Sequence, residues 1–337
     1  MNALKIGLCY YPTSTILVDD NDDFLDRISK LLSEHLIPCK YYSDPIDALD
    51  FLNTEYKPDP FTNRCISTAR DRDIDTVVSH FDFRKIHHEI YNPKRFEQIS
   101  VLAIDYAMPT LHGLDFCRKT EETFSQRLIF TGEAGHSLAV EAFNEGIIHK
   151  FLRKGEVNLP DLLLEDIQGL QKNYFRKLSE IALHKASRDL FKHAPECLRD
   201  SAFVDLLQKI CKKHNIVEYY LLDEHGSFLL LDEKGIPSWL IVKSEKDMHD
   251  IYEYAKDQDA PKDILDLLKE RIKVPYFHTD KDWKIGFDQE ECRRYFHPAV
   301  DLKGQQQYFY SYIDDPDAYE LDRNKIVSLK KYFQTKK

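Results

Sequence analysis

The chain has 337 residues, with 47 Lys plus Arg against 58 Asp plus Glu, and its net charge of −11 argues against a general nucleic-acid binder. Its 42% hydrophobic and 31% charged content is that of a globular protein of about two domains, and no apolar run reaches the length of a membrane span. Seven scattered cysteines, an odd number, read as reduced thiols rather than a disulfide framework, and Met1–Tyr11 is too short for a secretory signal, so a cytoplasmic location is expected.

Residues 1–13 read as an N-terminal extension. Thr15-Ile16-Leu17-Val18 then reads as a buried strand ending at Asp19-Asp20. Phe24, Leu25, Ile28, Leu31, Leu32 and Leu36 follow at helical spacing. A second apolar run, Val101 to Ile104, ends at Asp105, after which Pro109 and Gly113 break the chain. Arg127 to Phe130 ends at Thr131-Gly132, and a helical stretch around Ala139, Ala142 and Phe143 closes at Gly146. A last run, Ile147 to Leu152, leads to Lys154. A parallel α/β sheet sets the carboxyl ends of its strands on one edge, where ligands collect. Such a sheet brings Asp19, Asp20, Asp105, Thr131 and Lys154 together.

Three carboxylates on one edge repel, and without a cation one of them keeps a proton. A hard divalent ion relieves this, and Mg2+ takes one or two carboxylates, waters and phosphate oxygens. Lys154 adds a point charge and Thr131 a hydroxyl donor. The edge therefore reads as a cradle for a phosphoryl group on or beside a carboxylate, which is a known nucleophile for that group.

Four motifs, ILVDD at 16–20, DYAMPTLHG at 105–113, IFTG at 129–132 and FLRK at 151–154, carry a resemblance. Taken in order, they resemble the receiver domain of two-component response regulators, over residues 14 to about 170. The resemblance implies a doubly wound, five-stranded parallel sheet of order 2-1-3-4-5. It implies Asp105 as phosphoacceptor, with Mg2+ held by Asp19, Asp20, Asp105 and the Ala107 backbone carbonyl. Thr131 would contact the phosphoryl group, Lys154 would pair with it, and Phe151 would be the switch aromatic. A sensor histidine kinase is the implied partner. The chain is expected to accept phosphate as a signalling protein rather than to act as an enzyme on other substrates.

Two features depart from that family. Gly155 stands where the family usually has a cis-linked proline. A non-proline cis bond costs about 2.5–4 kcal/mol, so a trans or reshaped loop is expected, which puts the placement of Lys154 in question. The connection at about 54–98 is also far longer than usual. Within it, 56–63 reads as an extended, proline-punctuated loop. Asp73 to Tyr91, with Val77, Val78, Phe81, Ile86 and Ile90, reads as a short amphipathic helix. Its role stays open between a docking element and a solvated embellishment.

The expected division is a receiver domain at 14–158, a connector helix at 159–190 and an α+β output domain at 191–337. Asn158 and Pro160 start the connector, and Leu163, Ile167, Leu170, Tyr174, Leu178 and Ile181 recur along it. This stripe packs on the second domain or pairs with its copy, and phosphorylation is expected to favour a homodimer. The output half shows a helix marked by Phe203 to Cys211, and strands at 217–223, 227–232 and 238–243. Helices at 245–257 and 262–272 follow, then a hairpin from Val300 to Asp314. Residues 190–337 hold 24 Lys plus Arg against 28 Asp plus Glu, a net of −4, so DNA is not favoured as a partner. No P-loop or dinucleotide fingerprint occurs. The favoured output binds a protein or a small ligand. Two alternatives remain: a transcriptional regulator with a divergent DNA-binding output, marked by a basic groove-sized surface, and an enzymatic output, marked by a closed pocket with converging His or carboxylates.

Overall fold

Strands buried on both faces give unbroken apolar runs, and the computed structural model sets five of them side by side. Residues 3–71, 76–132, 136–186, 194–277, 287, 290–314 and 321–335 are described. They divide into two units. One comprises Tyr10–Arg64, Asn92–Ala182 and Tyr332–Lys337, and the other Met1–Cys9, Cys65–Tyr91 and Leu183–Lys331.

In the first unit, β1 (Ser14–Val18) is followed by α1 (Asp22–Glu34), β2 (Cys39–Tyr42) and α2 (Pro45–Asp50). After the long connection come β3 (Ile99–Asp105), α3 (Gly113–Lys119), β4 (Gln126–Thr131), α4 (His136–Asn144), β5 (Lys150–Arg153) and α5 (Leu159–Ala186). The strands are all parallel, in the order β2-β1-β3-β4-β5, as the resemblance implies. Side chains alternate across the sheet. Ile16, Val18, Leu102, Ile104 and Ile129 pack with residues of α2, α3 and α4, whereas Leu17, Val101, Ala103, Leu128 and Phe130 pack with α1 and α5. Each Ile, Val, Leu or Phe among them contributes about 1.5–3 kcal/mol on burial. Leu159, Leu163, Ile167 and Leu170 form the stripe of α5 that seals the second layer, which corrects the expected packing: this half of the stripe is buried on the unit's own sheet, not on the second domain or on a copy. Positions 187–190 of the expected connector lie outside the described residues.

The long connection corrects one expectation. Thr76–Phe81 is not helical but a strand, paired antiparallel with Ile66–Asp71, and a 3-10 segment, Phe83–Tyr91, follows it. The β-branched run Thr76-Val77-Val78 suits a pleated strand. Only Ile86 and Ile90, both fully buried, keep the helical spacing.

In the second unit, α6 (Ser201–Lys213) leads into β6 (Ile216–Leu221), β7 (Phe228–Asp232) and β8 (Pro237–Ser244). Then come α7 (Glu245–Asp257), α8 (Lys262–Lys269), β9 (Val300–Lys303) and β10 (Gln307–Asp314). These strands run antiparallel in the order β6-β7-β8-β10-β9, and the Leu221 N–H donates to the Leu8 carbonyl, so the N-terminal segment extends the sheet. Trp239, Tyr220, Phe228 and Phe203 are wholly buried in this unit. On β10, Tyr308 and Phe309 are buried and Tyr310 and Tyr312 are half-buried.

Candidate functional site

The carboxyl edge of the parallel sheet is built from strand ends and the turns that leave them. Asp105 is the last residue of β3, and the chain turns away at once: the Tyr106 N–H donates to the Phe130 carbonyl and the Gly113 N–H to the Tyr106 carbonyl. That return brings α3 so close that a Cβ on Gly113 would lie 2.2 Å from the Asp105 carbonyl oxygen. Glycine is required there by space, not by backbone angle. Asp19 leaves β1 in the same way, and the Asn21 N–H donates to its Oδ1 at 3.0 Å while Asn21 caps α1 through the Phe24 N–H at 2.9 Å.

Asp19 and Asp105 are buried and Asp20 is exposed, yet each offers a carboxylate oxygen within 4.8 Å of the others. Lys154 joins them. Its Nζ lies 2.6 Å from Asp19 Oδ2 and 2.8 Å from Asp105 Oδ1, and 4.7 Å from the centroid of the Phe24 ring. The Ala107 N–H donates to Asp105 Oδ2 at 3.0 Å. Thr131 is fully buried at the end of β4, its hydroxyl donating to the Leu152 carbonyl at 3.5 Å, and its own carbonyl accepts the Lys154 N–H. Phe151 is half-buried on β5 and meets Phe143 edge-on at 6.3 Å.

The electrostatics show a site short of positive charge. Burial raises the Asp19 carboxyl above the usual carboxylate range, against the pull of Lys154 and the Asn21 amide. Burial also works against the Lys154 charge, but its hydrogen bonds to Asp105 and Asp19 outweigh this and raise its pKa. One ammonium faces three carboxylates. The donors are all hard oxygens, so this set suits a divalent cation of the Mg2+ or Ca2+ kind rather than a thiophilic metal. Among the described residues no other group of three His, Cys, Asp or Glu side chains lies close enough to hold a metal.

Of the five edge residues named from the sequence, Asp19, Asp20, Asp105 and Lys154 meet, Thr131 reaches Lys154 through its backbone carbonyl, and Phe151 sits on the strand that leads to Lys154. Gly155 does not displace the lysine, and no peptide bond among the described residues is cis. Sequence reasoning missed the Phe24 ring under Lys154 and the Ala107 N–H on Asp105. The first needed the packing of α1 on β4. The second belongs to the backbone, which no side-chain pattern reports.

The second unit has a polar cluster of its own. Asp223 Oδ1 accepts the N–H groups of His225, Gly226 and Ser227, Lys243 lies 3.4 Å from Oδ2, and His225 Nδ1 lies 2.9 Å from Asp247. These contacts fasten the turn between β6 and β7 to the start of α7. No helix among the described residues is long and apolar enough to cross a membrane.

No protein-family model matches the sequence, and no curated protein matches it. Among solved structures, the chain is similar to the Legionella pneumophila response regulator LqsR, with 33% identity over 98% of this chain and 96% of that one and a TM-score of 0.82. It is also similar to an adenylate cyclase from Rhodopirellula baltica, with 21% identity over 52% of this chain and a TM-score of 0.37. A signal receiver domain of an HD domain-containing protein from Pseudomonas fluorescens matches at 16% identity over 50% of this chain and a TM-score of 0.34. These two share 99% and 93% of their own lengths with it and add nothing to the first match.

Proposed function

The chain belongs to the response regulators, and on that premise we propose that it serves a two-component relay by accepting a phosphoryl group on Asp105 from a sensor histidine kinase. In this reading residues 14–158 are the receiver, α5 is the connector and 191–337 the output, with the correction that Cys65–Tyr91 of the long connection groups with the second unit and Tyr332–Lys337 with the first. The observation that carries it is the Lys154 ammonium held between Asp19 and Asp105 at 2.6 and 2.8 Å, with Asp20 alongside.

Asp19, Asp20, Asp105 and the Ala107 carbonyl are the residues that would hold Mg2+. When bound, Mg2+ supplies a Lewis acid that neutralises charge on the phosphoryl oxygens. An Asp105 carboxylate oxygen attacks phosphorus. The new P–O bond forms as the donor's bond to phosphorus breaks, and the leaving group keeps that electron pair. Lys154 stabilises the charge on the transferred group from a fixed position. The Thr131 hydroxyl then turns from the Leu152 carbonyl to a phosphoryl oxygen, and Phe151 follows it inward. That movement alters the surface made by residues 136–158. The signal leaves through homodimer formation and an output that binds protein or ligand. The net charge of −4 over 190–337 keeps DNA second among partners.

Phosphoryl uptake from a small phosphodonor is expected to rise with Mg2+ and saturate. Asp20→Ala removes an oxygen ligand and a negative charge together, so its midpoint moves several-fold higher in Mg2+. Uptake that ignores Mg2+, or an unchanged midpoint in the variant, contradicts the reading.

A further inference from the structure

The backbone of Lys154 sits in a turn closed by the Glu156 N–H on the Arg153 carbonyl, and this fixes the chain but not the long side chain. The Lys154 N–H is fixed to the Thr131 carbonyl, and Gly155 follows it. A side chain at Gly155 would meet no neighbour within 4 Å, and its backbone is outside the left-handed region. Nothing local requires glycine there, and glycine gives the chain its widest conformational freedom. A proline at this place would have fixed one backbone angle.

The side chain has three described neighbours of electrostatic weight: Asp19, Asp105 and the Phe24 ring. The two carboxylates are the groups that a divalent cation and an incoming phosphoryl group engage, so they are shared partners. The ring is not shared. Phe24 is buried in the first turn of α1, with its N–H held by the Asn21 cap. Its ring meets Phe130 edge-on at 5.1 Å and 80°, and Phe130 lies opposite Asp105 in the β3–β4 register. The ring is thereby fixed to the strands that carry Asp105 and Thr131. An ammonium within about 6 Å of an aromatic centroid is attracted to the ring's negative face. The Arg27 guanidinium, 5.8 Å from the same centroid, is a weaker competitor at longer range.

We propose that Phe24 is a positioning residue for phosphoryl uptake, its ring face holding the Lys154 ammonium at the Asp19–Asp105 edge, where the turn at Gly155 fixes the backbone but not the side chain. This rests on the reading of Asp105 as phosphoacceptor. The competing role is core filling alone. Leucine fills most of that volume but has no π face, whereas tyrosine keeps one.

Two measurements on the full chain separate these roles. In the metal-free protein, the Lys154 ε-CH2 protons, assigned by their loss in Lys154→Ala, are expected to resonate upfield from the ring current, to stay there in Phe24→Tyr and to return to ordinary values in Phe24→Leu. With Mg2+ and a small phosphodonor, Phe24→Leu is expected to take up phosphoryl roughly three- to tenfold more slowly, and Phe24→Tyr to restore the rate. Unshifted Lys154 protons in the unaltered protein overturn the proposal, even if Phe24→Leu fails to fold. So do equal uptake rates for Phe24→Leu and the unaltered chain. Absence of uptake by the unaltered chain would instead refute the phosphoacceptor reading, while the proton shifts would still report whether the ring holds the lysine.

Discussion

His149 shows how one half-buried ring ties stability to pH. Its Nδ1 accepts the Arg127 backbone N–H at 3.0 Å, which a protonated ring does not do. Burial, then the nearby Lys177 and Arg127 charges, lowers its pKa from 6.5 to about 4. Between those values the unfolded chain binds the proton that the folded ring refuses, so stability falls as pH drops from about 6.5 and levels off below about 4. The slope is at most about 1.4 kcal/mol per pH unit for one such group. His297 in the other unit, lowered to about 4 by burial and Lys273, adds the same trend. Denaturant melts at pH 7 and pH 5 are expected to show the loss, and His149→Gln to flatten it; a pH-independent midpoint contradicts this account. Lys154 works in the opposite direction. Its raised pKa gives stability that is present up to about pH 10.5 and lost only at higher pH. Gly113 is limited by space. With a Cβ 2.2 Å from the Asp105 carbonyl oxygen, Gly113→Ala is expected to cost roughly 1–3 kcal/mol by overpacking and to slow phosphoryl uptake by moving the Asp105 backbone. An unchanged melting temperature would show that α3 has room to shift. Asp19, Asp20, Asp105, Thr131 and Lys154 were readable from sequence because each ends an apolar run, and parallel strands align such ends. The Phe24 ring was not, because its helical spacing is equally that of a core residue.

α7 illustrates how a helix start is secured. The Ser244 Oγ accepts the Asp247 N–H at 3.1 Å, the Ser244 N–H donates to Asp247 Oδ2 at 2.8 Å, and Oδ1 faces His225. Burial alone would raise the Asp247 carboxyl, but His225 and Ser244 hold it well below the usual range. Its contribution is therefore full above about pH 3.8 and lost as pH falls below that value. Asp247→Ala removes both the cap and the His225 contact and is expected to destabilise the chain by about 1–2 kcal/mol, read as a lower denaturant midpoint with the same slope. No shift would mean that water replaces both partners. The output strands were readable because β6, β7 and β8 are apolar runs separated by the Asp-Glu-His-Gly and Asp-Glu-Lys-Gly turns, with Gly226 and Gly235 at positive φ. Ile66–Phe81 was not. Val77, Val78 and Phe81 fit a helical spacing as well as a strand, and only the pairing with Ile66–Asp71 decides between them.

The similarity to LqsR covers 98% of this chain, both units included. On the proposed reading, phosphorylation favours a symmetric dimer, the commonest closed assembly. Light scattering at several concentrations is expected to show the labelled protein shifting towards twice the mass and the unlabelled protein lagging behind. Identical masses would place the switch on a partner surface instead. The output's target was not readable, and among the described residues its polar cluster of Asp223, His225, Lys243 and Asp247 fastens a turn and a helix start. The central claim is that Asp105 takes the phosphoryl group. Its most direct measurement is the intact mass of the full chain after incubation with Mg2+ and a small phosphodonor, beside Asp105→Asn treated in the same way. The account predicts one added phosphoryl group on the unaltered chain and none on the variant; equal labelling of the two, or none on either, contradicts it.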